Sequence, residues 1–354
     1  MPLPRRMRIT APVLALAALL PGSGAAQESL LTLPQTDRPV LVRVGLHLFD
    51  IVAVDDGQKT VEFEGILTAT WQDDRLRFDP VSEGVREKIY QGDYQFSEIS
   101  PGWWPQLVLR NESGLYERQG VILRVRTDGQ VRYQEEFQAI AEVQMELQRI
   151  PFDRQVFELV FEVLGFDAAE VLLEPDADRT SIRSHNDVNQ WEFGGVETRA
   201  IADSATMQSG RTAGISAVAF RFPAERNPRF LLRNIVLPLL ILVGLSWSVF
   251  WMDSEQLSDR MGISFLGILT VVAFQIVVSD MLPRIPYFTI LSSFLLISYL
   301  MLVASVVVNL TVGWLDRKGR AERADRLDRA CRWAFPLAFV AANTLMVGYY
   351  FLRY

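Results

Sequence analysis

Cysteine is nearly absent from this chain. One thiol, Cys331, in 354 residues rules out an internal disulfide framework and any cysteine-rich metal site. Histidine is almost as scarce: His47 and His185 stand far apart, which leaves little material for a zinc centre or for imidazole acid–base catalysis. No phosphate-cradling glycine loop and no nucleophile–base pairing stands out, so an enzyme is the least supported class, and no cofactor or metal is expected. A basic surplus is missing too. Asp and Glu number 42 against 35 Lys and Arg, and an acidic chain makes a poor partner for nucleic acid.

What the chain has in excess is apolar residues, 49 % of the total, over a length that implies more than one environment. Arg5, Arg6 and Arg8 precede an apolar run from Ala11 to Leu20, followed by Pro21, Gly22 and the small residues Gly24, Ala25 and Ala26. That is the layout of a cleavable export signal over residues 1–26, too short to span a bilayer. Without those three arginines the balance is 32 basic against 42 acidic residues, a charge of −10. Between residues 27 and 228 the pattern has period two. Val61, Phe63, Leu67, Ala69 and Trp71 alternate with Glu62, Glu64, Thr68 and Thr70, and Phe157, Leu159, Phe161 and Val163 with Glu158 and Glu162. Asp128-Gly129 between two such runs predicts a two-residue hairpin, and the whole segment predicts an all-β sandwich.

After Arg233 the pattern changes. Ile235–Met252, Met261–Ser279, Ile285–Leu315 and Trp333–Leu352 contain no charged residue, and each is long enough to cross ~30 Å of hydrocarbon as a helix. The predicted transmembrane domain, 229–354, has helices at about 235–252, 259–281, 286–313 and 331–352, with a short linker at 314–330. Arg317, Lys318, Arg320, Arg323, Arg326, Arg329 and Arg332 mark that linker as cytoplasmic. Glu322/Arg326, Asp325/Arg329 and Asp328/Arg332, spaced four apart, predict a charged helix leading into the last span; the same residues could also meet anionic lipid headgroups. The expected location is a bacterial inner membrane, crossed several times, with the β-domain in the periplasm.

The second apolar segment carries the most information. Gly262, Leu266, Leu269, Ala273, Ile276 and Asp280 follow one another at intervals of four, three, four, three and four, so they form one stripe along a helix. Asp259 and Asp280 bracket it. Such a stripe suits a lipid-facing or packing surface, or a pore. Carboxylates at both ends and the polar Ser264, Thr270, Gln275 and Ser279 nearby favour the pore, because ionisable residues at membrane depth face protein or water.

Several motifs then coincide. They are Ser258-Asp259-Arg260-Met261-Gly262, Leu269-Thr270, Leu282-Pro283-Arg284-Ile285-Pro286-Tyr287, Ile150-Pro151-Phe152-Asp153-Arg154-Gln155, Trp71 with Asp74-Arg75-Leu76, Trp103-Trp104-Pro105 running to Asn111, Arg226-Asn227-Pro228, Pro238 and Ala334-Phe335-Pro336. In this order, from about Val40 to the C-terminus, they resemble the pentameric ligand-gated ion channels, the Cys-loop receptor family. The resemblance is strongest to the bacterial branch, which has amine-gated and proton-gated members. Val143 and Phe157 stand where the animal receptors carry their two loop cysteines, as is usual in bacterial members.

The resemblance implies a homopentamer in a lipid bilayer, each subunit an extracellular sandwich above four helices, the second of which lines the pore. It implies apolar gating rings at Leu269 and Ile276, and selectivity rings at Asp259 and Asp280 that favour permeant monovalent cations. Family anion channels have a Pro-Ala pair where Ser258-Asp259 stands here, and Arg260 is expected to be paired or turned from the axis. Coupling is implied at Asp55, Asp56, Pro151, Phe152, Asp153, Arg226, Pro283, Arg284, Pro286 and Tyr287, with Arg226 and Asp153 readable either as switching partners or as a static pair. A ligand box would draw on Trp71, Trp103 and Trp104, although the Asp203–Ala219 segment, which usually adds aromatic rings, has none. The agonist is therefore an unidentified small molecule or protons, with divalent cations as possible modulators; Val271 occupies the place of a pore histidine in the proton-gated relative. The competing reading is a membrane-anchored periplasmic sensor or binding module without conductance.

Overall fold

The computed structural model describes residues 30–34, 38–92, 100–183, 187–188, 190–203, 214–252, 257–279 and 285–353. Within them the strands are β1 (Val40–Asp55), β2 (Thr60–Gln72), β3 (Glu87–Gly92), β4 (Leu107–Leu109), β5 (Glu112–Arg126), β6 (Gln130–Glu142), β7 (Arg154–Val163), β8 (Val171–Pro175), β9 (Ser181–Ile182), β10 (Asp187–Val188), β11 (Trp191–Phe193), β12 (Glu197–Asp203) and β13 (Ile215–Arg226). One sheet runs β3-β5-β6-β2-β1-β8, with β9 beside β1; the other runs β10-β11-β13-β7-β4, with β12 beside β13. The inward residues of β2 and β7 are those the alternation selects, and Phe63, Phe137 and Phe161 meet edge to face at 5.7 and 6.0 Å between the layers.

Two local expectations are corrected. Thr68 and Thr70 are buried rather than solvent-facing; at Thr70 the short helical turn Ala177–Arg179 contributes, with Arg179 Nη1 donating to Thr70 Oγ1 at 3.2 Å. The β5–β6 turn spans residues 127–129, one more than expected. Gly129 takes φ +80° there, and a Cβ on it would lie 2.7 Å from the Asp73 carbonyl oxygen, so glycine is required on two counts.

Among the described residues four helices are long and apolar enough to cross a membrane: α1 (Arg229–Trp251), α2 (Leu257–Ser279), α3 (Ile290–Arg317) and α4 (Ala321–Arg353). In α1 a π turn, Leu232–Val236, precedes the regular stretch. Pro238 has no N–H to return to that turn, and the wider winding accommodates the lost bond. Helix α3 starts at Ile290, four residues later than expected. Thr289 and Ser292 cap it reciprocally, with Ser292 N donating to Thr289 Oγ1 at 3.0 Å and Thr289 N to Ser292 Oγ at 2.7 Å. The linker expected at 314–330 contracts to 318–320. Gly319, at φ +70°, ends α3, and the charged stretch is the first part of α4.

Candidate functional site

The site is built around α2. Arg260, Ser264, Val271 and Val278 are buried against the rest of the fold, whereas Gly262, Leu266, Leu269, Ala273 and Ile276 are exposed, Leu269 and Ile276 at 65 % each. At 3.6 residues per turn these two sets occupy opposite sides of the helix. The stripe therefore points away from the other three helices. Of the polar residues near the stripe that favoured a pore, Ser264 faces the bundle instead, its hydroxyl accepting from Asn309 Nδ2 on α3 at 2.8 Å. Thr270 and Ser279 turn their hydroxyls back to the carbonyls of Leu266 and Gln275 and offer little free polarity.

At the N-terminal end of α2, neighbouring charges separate. Asp259 is exposed, while Arg260 is fully buried and donates to both carboxylate oxygens of Asp328 at 2.8 and 2.6 Å and to Asn309 Oδ1 at 2.9 Å. Asp328 is thus drawn from Arg332, the helical partner expected for it. Arg332 Nε instead donates to the Phe250 carbonyl at 2.9 Å, and Arg326 and Arg329 donate to the backbone carbonyls of Glu322 and Asp325. Neither Asp328 nor Asn309 was singled out as a partner of Arg260, because a contact spanning 68 residues leaves no periodic trace. Asp280, Pro283 and Arg284 lie outside the described residues, as does His185; Pro286 is exposed and Tyr287 half-buried.

Where the sandwich meets the helices, Arg226 at the end of β13 lies between two carboxylates. Its Nε donates to Asp153 Oδ1 at 2.7 Å, and its two Nη atoms reach Asp56 at 2.6 and 2.9 Å. Its guanidinium stacks over Trp191 at 4.1 Å, and Gln155 Nε2 donates to Asp153 Oδ2 at 2.8 Å. Burial by itself would lower the arginine pKa, but hydrogen bonds and charge from Asp56 and Asp153 outweigh it and leave the group more firmly protonated than usual. Asp55 does not join this cluster. It accepts from Gly57 N and Gln58 N at 2.8 and 2.9 Å and so shapes the β1–β2 turn that presents Asp56. Pro151 is buried, and the exposed Phe152 ring lies 6.3 Å from that of Phe351 near the end of α4, with Arg149 over the same ring at 5.3 Å. Ile290 N donates to the Gln148 carbonyl at 3.0 Å, joining this loop to the start of α3.

The tryptophans are redistributed. Trp71 and Trp103 are 2 % and 5 % exposed and meet edge to face at 5.9 Å inside the sandwich, so neither offers a free face to a ligand. Strand alternation turns Trp71 inward with Phe63 and Leu67. Trp104, half-buried, is the one of the three still partly open.

A further buried carboxylate lies inside the sandwich, where the strand pattern predicts none. Glu135 on β6 points inward between Tyr133 and Phe137, accepting from Tyr133 Oη at 2.5 Å, Tyr116 Oη at 3.0 Å and Arg118 Nε at 2.8 Å. Burial first, then the Glu135 charge, pushes both phenols far above their ordinary value of 10. The unfolded chain releases these protons near pH 10 while the folded chain keeps them. Their contribution is thus whole below that pH and declines as pH rises past it. Ultraviolet titration should show two tyrosines ionising only as the sandwich unfolds, and Glu135→Gln should lower stability by about 1–3 kcal/mol in denaturant melts at neutral pH.

The family model for the neurotransmitter-gated ion-channel ligand binding domain matches residues 29–228, and that for the neurotransmitter-gated ion-channel transmembrane region matches residues 235–324. Over 318 residues the chain is 27 % identical to a proton-gated ion channel of Gloeobacter violaceus, covering 90 % of this chain and 85 % of that one. It is 24 % identical over 283 residues to acetylcholine receptor subunit beta of Rattus norvegicus and 20 % over 281 to gamma-aminobutyric acid receptor subunit gamma-3 of Homo sapiens, covering 77 % and 78 % of this chain. Of those two animal subunits the chain spans 55 % and 58 % of the length.

Proposed function

Because the chain belongs to the neurotransmitter-gated ion-channel family, a family of multi-pass ligand-gated channels and not of enzymes, we propose that it forms a homopentameric, cation-selective channel whose pore is lined by α2. The observation that carries this reading is the opposite fate of Asp259 and Arg260. The apolar stripe is exposed and faces away from the bundle, and at its inner end the carboxylate is exposed while the cation is buried and neutralised. Five copies of such a face around an axis give an apolar channel with a ring of negative charge at one mouth, which concentrates cations and repels anions. Asp280 is proposed as the outer ring, with the β-domain in the periplasm of a bacterial inner membrane.

Purified protein in planar bilayers tests this. With a sodium chloride gradient the reversal potential should follow sodium. Asp259→Asn should lower the cation-to-anion permeability ratio more than Asp280→Asn does, since the field is focused where the pore is narrower. A reversal potential following chloride overturns the reading.

Protons are the proposed agonist. Support comes from the proton-gated relative at 27 % identity, from the burial of Trp71 and Trp103, and from an acidic surplus whose neutralisation relieves repulsion. A pH series without organic ligand should raise open probability as pH falls, and divalent cations that bridge carboxylates should inhibit. Micromolar activation by propylamine at fixed pH, abolished in Trp104→Ala, would make the agonist an amine instead.

A further inference from the structure

Resting on the pore reading just given, we infer that Asp328 is a selectivity-positioning residue: from α4 it holds the Arg260 cation away from the inner mouth and so lets Asp259 set the charge there. Asp259 and Arg260 are consecutive on α2, and a helix turns only about 100° between neighbours. Two adjacent opposite charges at one mouth would largely cancel. They do not meet the same solvent, because Arg260 is 0 % exposed and Asp328 4 % exposed. Among the described residues Asp328 is the one carboxylate within ion-pair distance of Arg260, held by both oxygens. Asn309 adds a third bond and is itself oriented by its donation to Ser264, so α2, α3 and α4 all contribute to the cage. Arg260 Nε has no hydrogen-bond partner, which leaves the guanidinium dependent on Asp328, its one counter-charge, and on Asn309.

Counted per subunit, Asp259, Arg260 and Asp328 sum to one negative charge, and that charge is the exposed one. Removing Asp328 makes the sum zero. An uncompensated buried cation is strongly disfavoured, and arginine has the length to carry its head to nearby water. The nearest such place along α2 is the mouth where Asp259 is exposed. Residues that never touch a permeating ion thus decide what it meets.

The experiment uses the full chain in planar bilayers, with reversal potentials read in asymmetric sodium chloride. Asp328→Asn should lower the cation-to-anion permeability ratio roughly tenfold. Asp328→Glu should retain the unmodified ratio. The pair Arg260→Gln with Asp328→Asn should retain it as well, because no cation is left to release. A merely structural role for Asp328 would alter expression or open probability in all of these without moving the reversal potential. An unchanged ratio in Asp328→Asn, or a double variant as anion-permeable as the single one, overturns the inference. Should Asp328→Asn fail to assemble, Asp328→Ser is compared with the pair Arg260→Gln and Asp328→Ser: the single variant should lose cation preference and the pair should keep it, and equal ratios in the two overturn the inference equally. Failure of the pore reading looks different, since the unmodified channel would then follow chloride or carry no current.

Discussion

Leu269→Ser should produce current without agonist, or reach half-activation at an agonist concentration at least about tenfold lower, equivalent to about 1.4 kcal/mol. Leu269 lies near the middle of the exposed stripe of α2, on the side opposite the buried Val271 and Val278. In a pentamer five such side chains form a ring that water leaves when the ring narrows, and a dry constriction stops ions without a plug. Serine removes the apolar surface and supplies hydroxyls, so the wet and open arrangement gains relative to the dry and closed one. Leu300→Ser on α3 is the control. Leu300 is 55 % exposed, comparable to Leu269, but belongs to another helix and lies off the stripe. Equal leak from both variants would mean that loss of an apolar contact, and not wetting of a gate, produces the effect.

Arg226→Gln should be the most damaging single change in the β-domain. The Arg226 and Asp153 side chains are 2 % and 1 % exposed, so losing the cation strands a carboxylate that water cannot reach. Breaking a buried pair from one side typically costs about 3–5 kcal/mol. Thermal melts of the purified protein should register this as a large fall in stability. The double variant Arg226→Gln with Asp153→Asn removes both charges while keeping hydrogen-bonding groups, and should recover most of that stability. Gating separates the two roles of the pair. If Arg226, Asp153 and Asp56 exchange partners during opening, the double variant is stable yet needs a stronger stimulus, seen as a lower pH for half-activation under the proposed proton gating. If the pair is static, the double variant gates as the unmodified channel does.

The architecture was legible because its signals are local and repeated. Period-two alternation in β2 and β7 identified the inward faces, and the charge-free runs identified the four spans. Hairpin and cap details were less legible. The turn at 127–129 depends on the close approach of Gly129 to Asp73, and the start of α3 at Ile290 on the reciprocal Thr289–Ser292 cap, and composition barely marks either. Within the candidate site, the spacing of Gly262, Leu266, Leu269, Ala273 and Ile276 assigned one face of α2, and the fold exposes that face. The tryptophans behaved otherwise. An aromatic ring reads the same whether it closes a ligand box or fills a core, and only the packing of the loop before β4 against β2 buried Trp103 on Trp71.

By itself the sequence determined the division into a sandwich and four spanning helices, the family motifs and the stripe, since each is written in residues a few positions apart along the chain. Tertiary structure alone decided which charges count. It buried Arg260 with Asp328 rather than leaving Asp328 to Arg332, chose Asp56 over Asp55 for Arg226, and placed Glu135 between two tyrosines and an arginine. The physical reason is that a charge's effect depends on its distance from water and from its counter-charge. Both are set by which distant segments pack together, and sequence spacing carries no measure of either.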